Sequence, residues 1–123
     1  MASMDVSLKE MMAIDGAVGA VVVDYNSGMA LGSLGGSKDL DLQVAAAGNT
    51  EVVKAKLRTM ESLGLKDTIE DILITLNTQY HIIRPLTGRS GKGLFLYLAL
   101  DRARGNLALA RHNMRTIEEK LEV

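Results

Sequence analysis

The 123-residue chain has no cysteine and no tryptophan, and only one proline, one phenylalanine and three tyrosines. Zero cysteine excludes a disulfide scaffold, a thiol nucleophile, Cys-ligated zinc and an iron–sulfur cluster. Any metal site would have to be built from two histidines and carboxylates. An excess of one charge is also missing, since 14 Lys plus Arg face 15 Asp plus Glu, a net −1. With a pI near 6.1, the chain offers no broad cationic footprint for nucleic acid, and four Tyr and Phe rings are too few to stack bases along a strand. No stretch approaches the ~20 uncharged apolar residues of a membrane span. Met1-Ala2-Ser3-Met4-Asp5 lacks the basic and apolar regions of a signal peptide. The expectation is a complete, cytoplasmic chain with no membrane span, no nucleic-acid partner, no metal and no cofactor.

What is present is aliphatic: 47% of residues are apolar, drawn mostly from Ala, Val, Ile, Leu and Met. A chain of this size buries roughly two-thirds of its unfolded surface, which predicts one domain over residues 1–123. Ser7-Leu8-Lys9-Glu10 has the form of a capping box. A first helix is expected there, with Leu8, Met11 and Met12 on one face, Met4 on the same side, and Asp15-Gly16 as the stop. Ala17 to Asp24 is β-branched and reads as a buried strand. Tyr25-Asn26-Ser27-Gly28 turns it into a returning strand, Met29 to Leu34. A long helix follows from about Leu40 to Leu63, with Gly64 as its C′ residue. Val53, Leu57 and Met60 form its apolar stripe, and Glu51, Lys54, Lys56, Arg58 and Glu61 its charged sides.

Thr68 to Leu76 is expected to be a third strand, with Ile72, Ile74 and Leu76 on one parity. Asn77-Thr78 leads into a fourth strand, Gln79 to Pro85, whose ladder ends at the proline. Leu86 to Gly93 reads as a mobile hairpin loop. Leu94 to Leu100 is apolar at every position, as in a strand covered on both faces, and is the candidate sheet centre. A last helix starts near Asn106, with Leu107, Ala110, Met114, Ile117 and Leu121 spaced 3, 4, 3, 4. The fold class is α+β in a sandwich-like arrangement, ordered α-β-β-α-β-β-β-α. Its five-stranded sheet is mainly antiparallel, with helices on both faces because three helices do not fit on one.

Catalytic signals are weak. Gly88-Arg89-Ser90-Gly91-Lys92-Gly93 resembles a phosphate loop only superficially, because Leu86 and Gly93 occupy the positions that need Gly and Ser or Thr. It also joins two strands rather than a strand and a helix N-terminus. His81 and His112 have no partner nearby in sequence, so both read as surface or structural histidines. Glu70-Asp71 and Glu118-Glu119 read as solvated charge, and no nucleophile elbow is present. The expectation is therefore a protein that is not an enzyme. A small hydrolase using His81 or His112 is the weakest alternative.

The middle helix opens with Val44-Ala45-Ala46-Ala47-Gly48, almost without side-chain bulk. Either these residues pack closely on their own sheet or they receive another helix, and both readings stand. Gly48 is otherwise a poor helix residue. The aliphatic third strand, if at an edge, could pair with its own copy.

Element order and local stretches together resemble the roadblock/dynein light chain domain family, in its small single-domain bacterial form, from about Ser7 to Leu121. The stretches are Ile14-Asp15-Gly16-Ala17-Val18-Gly19-Ala20-Val21-Val22-Val23-Asp24 with Ser27-Gly28, the alanine-rich opening of the middle helix, and Leu98-Ala99-Leu100-Asp101 leading to Asn106-Leu107-Ala108-Leu109-Ala110-Arg111. The chain departs from the family pattern at Tyr25-Asn26 and at Gly91-Lys92-Gly93. The resemblance implies a homodimer formed by pairing third strands and middle helices, acting as a scaffold or regulator of a Ras-like small GTPase. The alternative is an adaptor or assembly subunit of another complex, sensor-kinase or motor-associated, with no GTPase contact. The candidate interface is Val44, Ala45, Gly48, Glu51, Val52, Lys54, Ala55 and Arg58 on the helix, with Ile72 and Ile74 on the third strand.

Overall fold

A computed structural model describes residues 2–87 and 91–122. The elements are α1 (Met4–Met12), β1 (Ala17–Asp24), β2 (Met29–Gly35), α2 (Leu42–Leu63), β3 (Ile72–Thr75), β4 (Gln79–Pro85), β5 (Leu94–Asp101) and α3 (Leu107–Lys120). The strands form one sheet in the order β2-β1-β5-β4-β3, and all four pairings are antiparallel. β5, apolar from Leu94 to Leu100 and ending at Asp101, is the central strand, as its sequence predicts. Gly88, Arg89 and Ser90, within the stretch expected to be a mobile loop, lie outside the described residues.

Alternation along β1, β4 and β5 divides the core in two. On one face Ala20, Val22, Ile82, Leu96, Leu98 and Leu100 meet Leu8 and Met11 of α1 and Ala110, Met114 and Ile117 of α3. On the other, Val21, Val23, Ile83, Phe95, Tyr97 and Ala99 meet Leu42, Ala46 and Val53 of α2. Two helices therefore share one face and a single helix serves the other. Close approach of loops sets one glycine: Gly16 has φ +89°, and a Cβ there would lie 2.7 Å from the Gly105 backbone nitrogen.

Several expectations need correction. The capping box at Ser7 is not used: Ser3 caps α1 by accepting from Val6 N–H at 3.3 Å. The helix thus starts one turn earlier, and Ser7 is buried inside it, its hydroxyl without a partner among the described residues. Helix α2 begins at Leu42, because Asp41 accepts from Gln43 N–H (2.9 Å) and Val44 N–H (3.2 Å). Leu57, expected in its apolar stripe, is exposed, while Val53 and Met60 are buried.

The third strand is shorter than Thr68 to Leu76, for a reason in its neighbour. Leu86 N–H donates across to Leu94 of β5. With donors alternating along a strand, Pro85 therefore faces β3, where it has no N–H to offer. The ladder stops at Ile72↔Ile83.

The two carboxylate pairs are not simply solvated charge either. Asp71, its side chain 7% exposed, holds Arg111 through two bonds of 2.8 and 3.0 Å, which raises the arginine's pKa, while Glu70 pairs with Arg115. Glu118 pairs with Arg84, the two side chains 14% and 9% exposed, and also accepts from Thr87 N–H and Oγ. Glu119 alone of the four makes no ion pair among the described residues and is exposed. Removing Glu118 would leave the Arg84 charge buried and unpaired, at a cost of about 3 kcal/mol. Glu118→Ala should therefore lose that much in urea unfolding, while Glu119→Ala should stay within about 0.5 kcal/mol of wild type.

Candidate functional site

With 3.6 residues per turn, α2 presents three sides. Leu42, Ala46, Thr50, Val53 and Met60 are buried. Opposite the sheet lie Ala47, Glu51, Lys54 and Arg58, of which only Lys54 is half-buried and the rest are exposed. Between these sides runs a stripe of small residues, Val44, Ala45, Gly48, Val52, Ala55 and Thr59, and it borders two open hollows.

One hollow, of about 830 Å³, lies between the C-terminal half of α2 (Val52, Ala55, Lys56, Thr59, Met60) and the connector that ends at Ile72. The other, of about 380 Å³, lies beside the N-terminal half. Val44, Ala45, Gly48 and Asn49 form its helical wall, residues 38–41 its mouth, and His81 and Tyr97 its sheet side. Together they make a discontinuous groove along one flank of α2. The adjoining edge strand β3 shows Ile72 and Ile74, half-buried, on the same face of the sheet.

The small-residue stretch divides between two sides of the helix. Ala46, 1% exposed, packs on the chain's own sheet, and Ala45 joins that cluster at its margin. Val44 is 67% exposed, and a Cβ added at Gly48 would meet nothing within 4 Å. The chain's own packing therefore gives no reason for glycine at position 48. Of the ten candidate interface residues, Val44, Ala45, Gly48, Val52, Ala55 and Ile72 line the groove. Ile74 shares its sheet face, whereas Glu51, Lys54 and Arg58 sit outside it along the rim.

Sequence reasoning missed the polar floor of the smaller hollow. His81 is not partnerless: its Nε2 lies 2.8 Å from Gln79 Oε1 and its Nδ1 lies 3.1 Å from the Tyr97 hydroxyl. Because Gln79 Oε1 only accepts, Nε2 carries the proton and Nδ1 accepts from the phenol. The two rings meet edge to face, with centroids 5.4 Å apart. Burial pushes Tyr97 up to about 12, opposed by hydrogen bonding from the Asn49 side chain, and burial lowers His81. The signal available in sequence was parity. His81 shares a strand face with Ile83, and Tyr97 with Phe95 and Ala99, so both had to point toward α2. His112 is exposed on α3. Among the described residues no three His, Asp or Glu gather as metal ligands, and no helix is long and apolar enough to cross a membrane.

This architecture is the roadblock fold. A Roadblock/LC7 domain from Streptomyces avermitilis superposes with a TM-score of 0.78 at 13% identity, over 96% of this chain and 93% of that one. The gliding protein MglB of Thermus thermophilus matches with a TM-score of 0.78 at 17% identity, over 94% and 82%. An MglB with a tetrameric arrangement matches with the same TM-score, identity and coverage. No protein-family model and no curated protein matches the sequence. At such identities the likeness establishes the fold.

Since open space surrounds Gly48, replacing it by alanine should only remove the helix-propensity penalty of glycine. Gly48→Ala is expected to raise the unfolding free energy of dilute protein by about 0.5–1 kcal/mol in urea titration. A loss of stability would mean that the site is packed.

Proposed function

We propose that this chain is a single roadblock-like domain of residues 1–123 that works without catalysis. It is a cytoplasmic homodimeric scaffold that binds and regulates a Ras-like small GTPase in a signalling or polarity system. The observation that carries the reading is the half-covered α2 face. A groove lined by small and aliphatic side chains runs beside a free edge strand, so a second α2 can lie along the first while β3 meets its copy. Pairing two β3 edges satisfies the unpaired backbone groups that an edge leaves open, and a two-fold contact uses the same patch twice.

Charge supports the antiparallel sense that a two-fold axis imposes on the helices. Lys38, Asp39, Asp41 and Glu51 give the N-terminal half of α2, with the residues just before it, a net −2, and Lys54, Lys56, Arg58 and Glu61 give its C-terminal half a net +2. The acidic end of one helix therefore faces the basic half of the other. Glu51, Lys54, Ala55 and Arg58 then lie at or beside the seam, on the outer side, where a GTPase would contact both protomers. The resemblance of the sequence to the roadblock family, which implies a Ras-like small GTPase partner, favours a GTPase there over another partner, and the fold shared with MglB, a gliding protein, is in keeping with it.

Sedimentation equilibrium should give a dimer, and Gly48→Arg, which places a long cation in the groove where the fold itself has room, should give a folded monomer. Pull-down with the wild-type chain from its own cells should recover a Ras-like GTPase, and Arg58→Glu should reduce that recovery at least tenfold at protein concentrations where sedimentation shows the variant to be dimeric. A monomeric wild-type chain that captures no GTPase would sink the reading. A dimer that captures another complex instead would make the chain an adaptor subunit.

A further inference from the structure

The polar floor of the smaller hollow is not explained by packing a groove with small residues. It consists of Gln79, His81 and Tyr97, joined by two hydrogen bonds, with Asn49 of α2 against the phenol. Val44, Ala45 and Gly48 form the wall directly beside it. Resting on the homodimer reading, we propose that His81 makes the seating of the second copy's α2 acid-sensitive, the neutral ring admitting that helix and the protonated ring opposing it.

The argument begins with donors and acceptors. In the neutral ring, Nε2–H donates to Gln79 Oε1 and Nδ1 accepts from the Tyr97 hydroxyl, so both nitrogens are satisfied without water. A helix laid over Val44, Ala45 and Gly48 can exclude solvent from this ring and leave no bond unmet. Protonation changes Nδ1 into a donor that faces the phenol proton. The hydroxyl must then rotate its proton away and accept from Nδ1–H, and the ring carries a charge into a site that docking dries.

Few neighbouring groups offset that charge. On β3, Ile72 to Thr75 contain no ionisable side chain. On β5 the titratable side chains of that face are Tyr97, whose burial keeps it neutral, and Asp101, which stands opposite Gln79 at the end of the ladder and is paired with Arg104. Helix α2 contributes Asn49 and three uncharged small residues to the hollow. The segment before α2 contributes Lys38, Asp39 and Asp41, but Asp41 is engaged with the first amides of α2, and Lys38 offsets Asp39. In the single chain burial already lowers His81 below its ordinary value of 6.5, and a second helix extends that burial.

The sign follows by linkage. The proton binds the free protomer more tightly than the dimer, so association is strongest above pH 6.5 and weakens as the pH falls through the titration of the free chain. The limit is about tenfold per pH unit for each protomer, or about a hundredfold for two equivalent sites.

Sedimentation equilibrium of the full chain at pH 7.5, 6.5 and 5.5, with circular dichroism confirming the fold at each, tests this. The wild-type dissociation constant should rise at least threefold between pH 7.5 and 5.5, most of it below pH 6.5. His81→Gln, which keeps a neutral hydrogen-bonding side chain, should dimerise at pH 7.5 with a constant that changes less than threefold on acidification, whereas His112→Gln should follow wild type. A wild-type dimer indifferent to pH, or a His81→Gln dimer that weakens as wild type does, overturns the proposal and leaves the homodimer standing. A wild-type monomer at pH 7.5 removes both. Should His81→Gln not fold, NMR titration of the wild-type His81 ring above and below the dissociation constant decides. A lower midpoint in the dimer supports the proposal, and equal midpoints overturn it.

Discussion

The structure depends on one constraint: β5 is apolar on both faces and sits in the middle of the sheet, so neither face can be left to water. Seven consecutive apolar residues from Leu94 to Leu100 impose cover on both sides, each buried side chain adding about 1.5–3 kcal/mol through its transfer from water. One side is closed by α1 and α3 together, and Met11 and Met114 are fully buried there. The other side has only α2. The fold therefore has a complete face and an incomplete one, and the incompleteness lies along the β3–β4 half of the sheet.

That asymmetry locates the candidate site more securely than any motif. A catalytic site is defined by groups converging on a substrate. The groove is defined instead by cover that a single helix cannot supply. Its walls are small where they face outward, as at Gly48, and aliphatic where they approach the sheet, as at Val52 and Ile72. The connector into β3 is fixed from the opposite face, because Asp71 reaches past the edge to Arg111 on α3. The edge is thus held in place by the complete face while being presented beside the incomplete one.

Most of the fold was legible because it rests on periodicity. The β-branched run at Ala17 to Asp24, the doubly apolar β5 and the 3, 4, 3, 4 stripe of α3 each bury the side chains their spacing indicates. What was not legible depends on partners far away in sequence. Ser7 resembles a cap, but Ser3 does that work one turn earlier, and local spacing alone does not rank two serines. The shortening of β3 comes from Pro85 on the neighbouring strand. Glu118 looked solvated because Arg84 lies 34 residues away. The small stripe on α2 was visible, and its outward direction was not, since a stripe shows which residues share a side and leaves open what that side meets. His81 looked solitary because Tyr97 reaches it only after β4 and β5 pair.

The strand order also governs how the molecule can be made. β1 lies between β2 and β5, and its register with β5 joins Ala17 to Leu100 and Asp24 to Leu94. During synthesis the first hairpin emerges early, but its inner edge has no partner until the last quarter of the chain leaves the ribosome. At about 5–20 residues per second that interval is several seconds, during which Val21, Val22 and Val23 stand in a strand paired along one edge only. The central strand that secures the finished protein is thus the element whose late arrival leaves the nascent chain most exposed to aggregation.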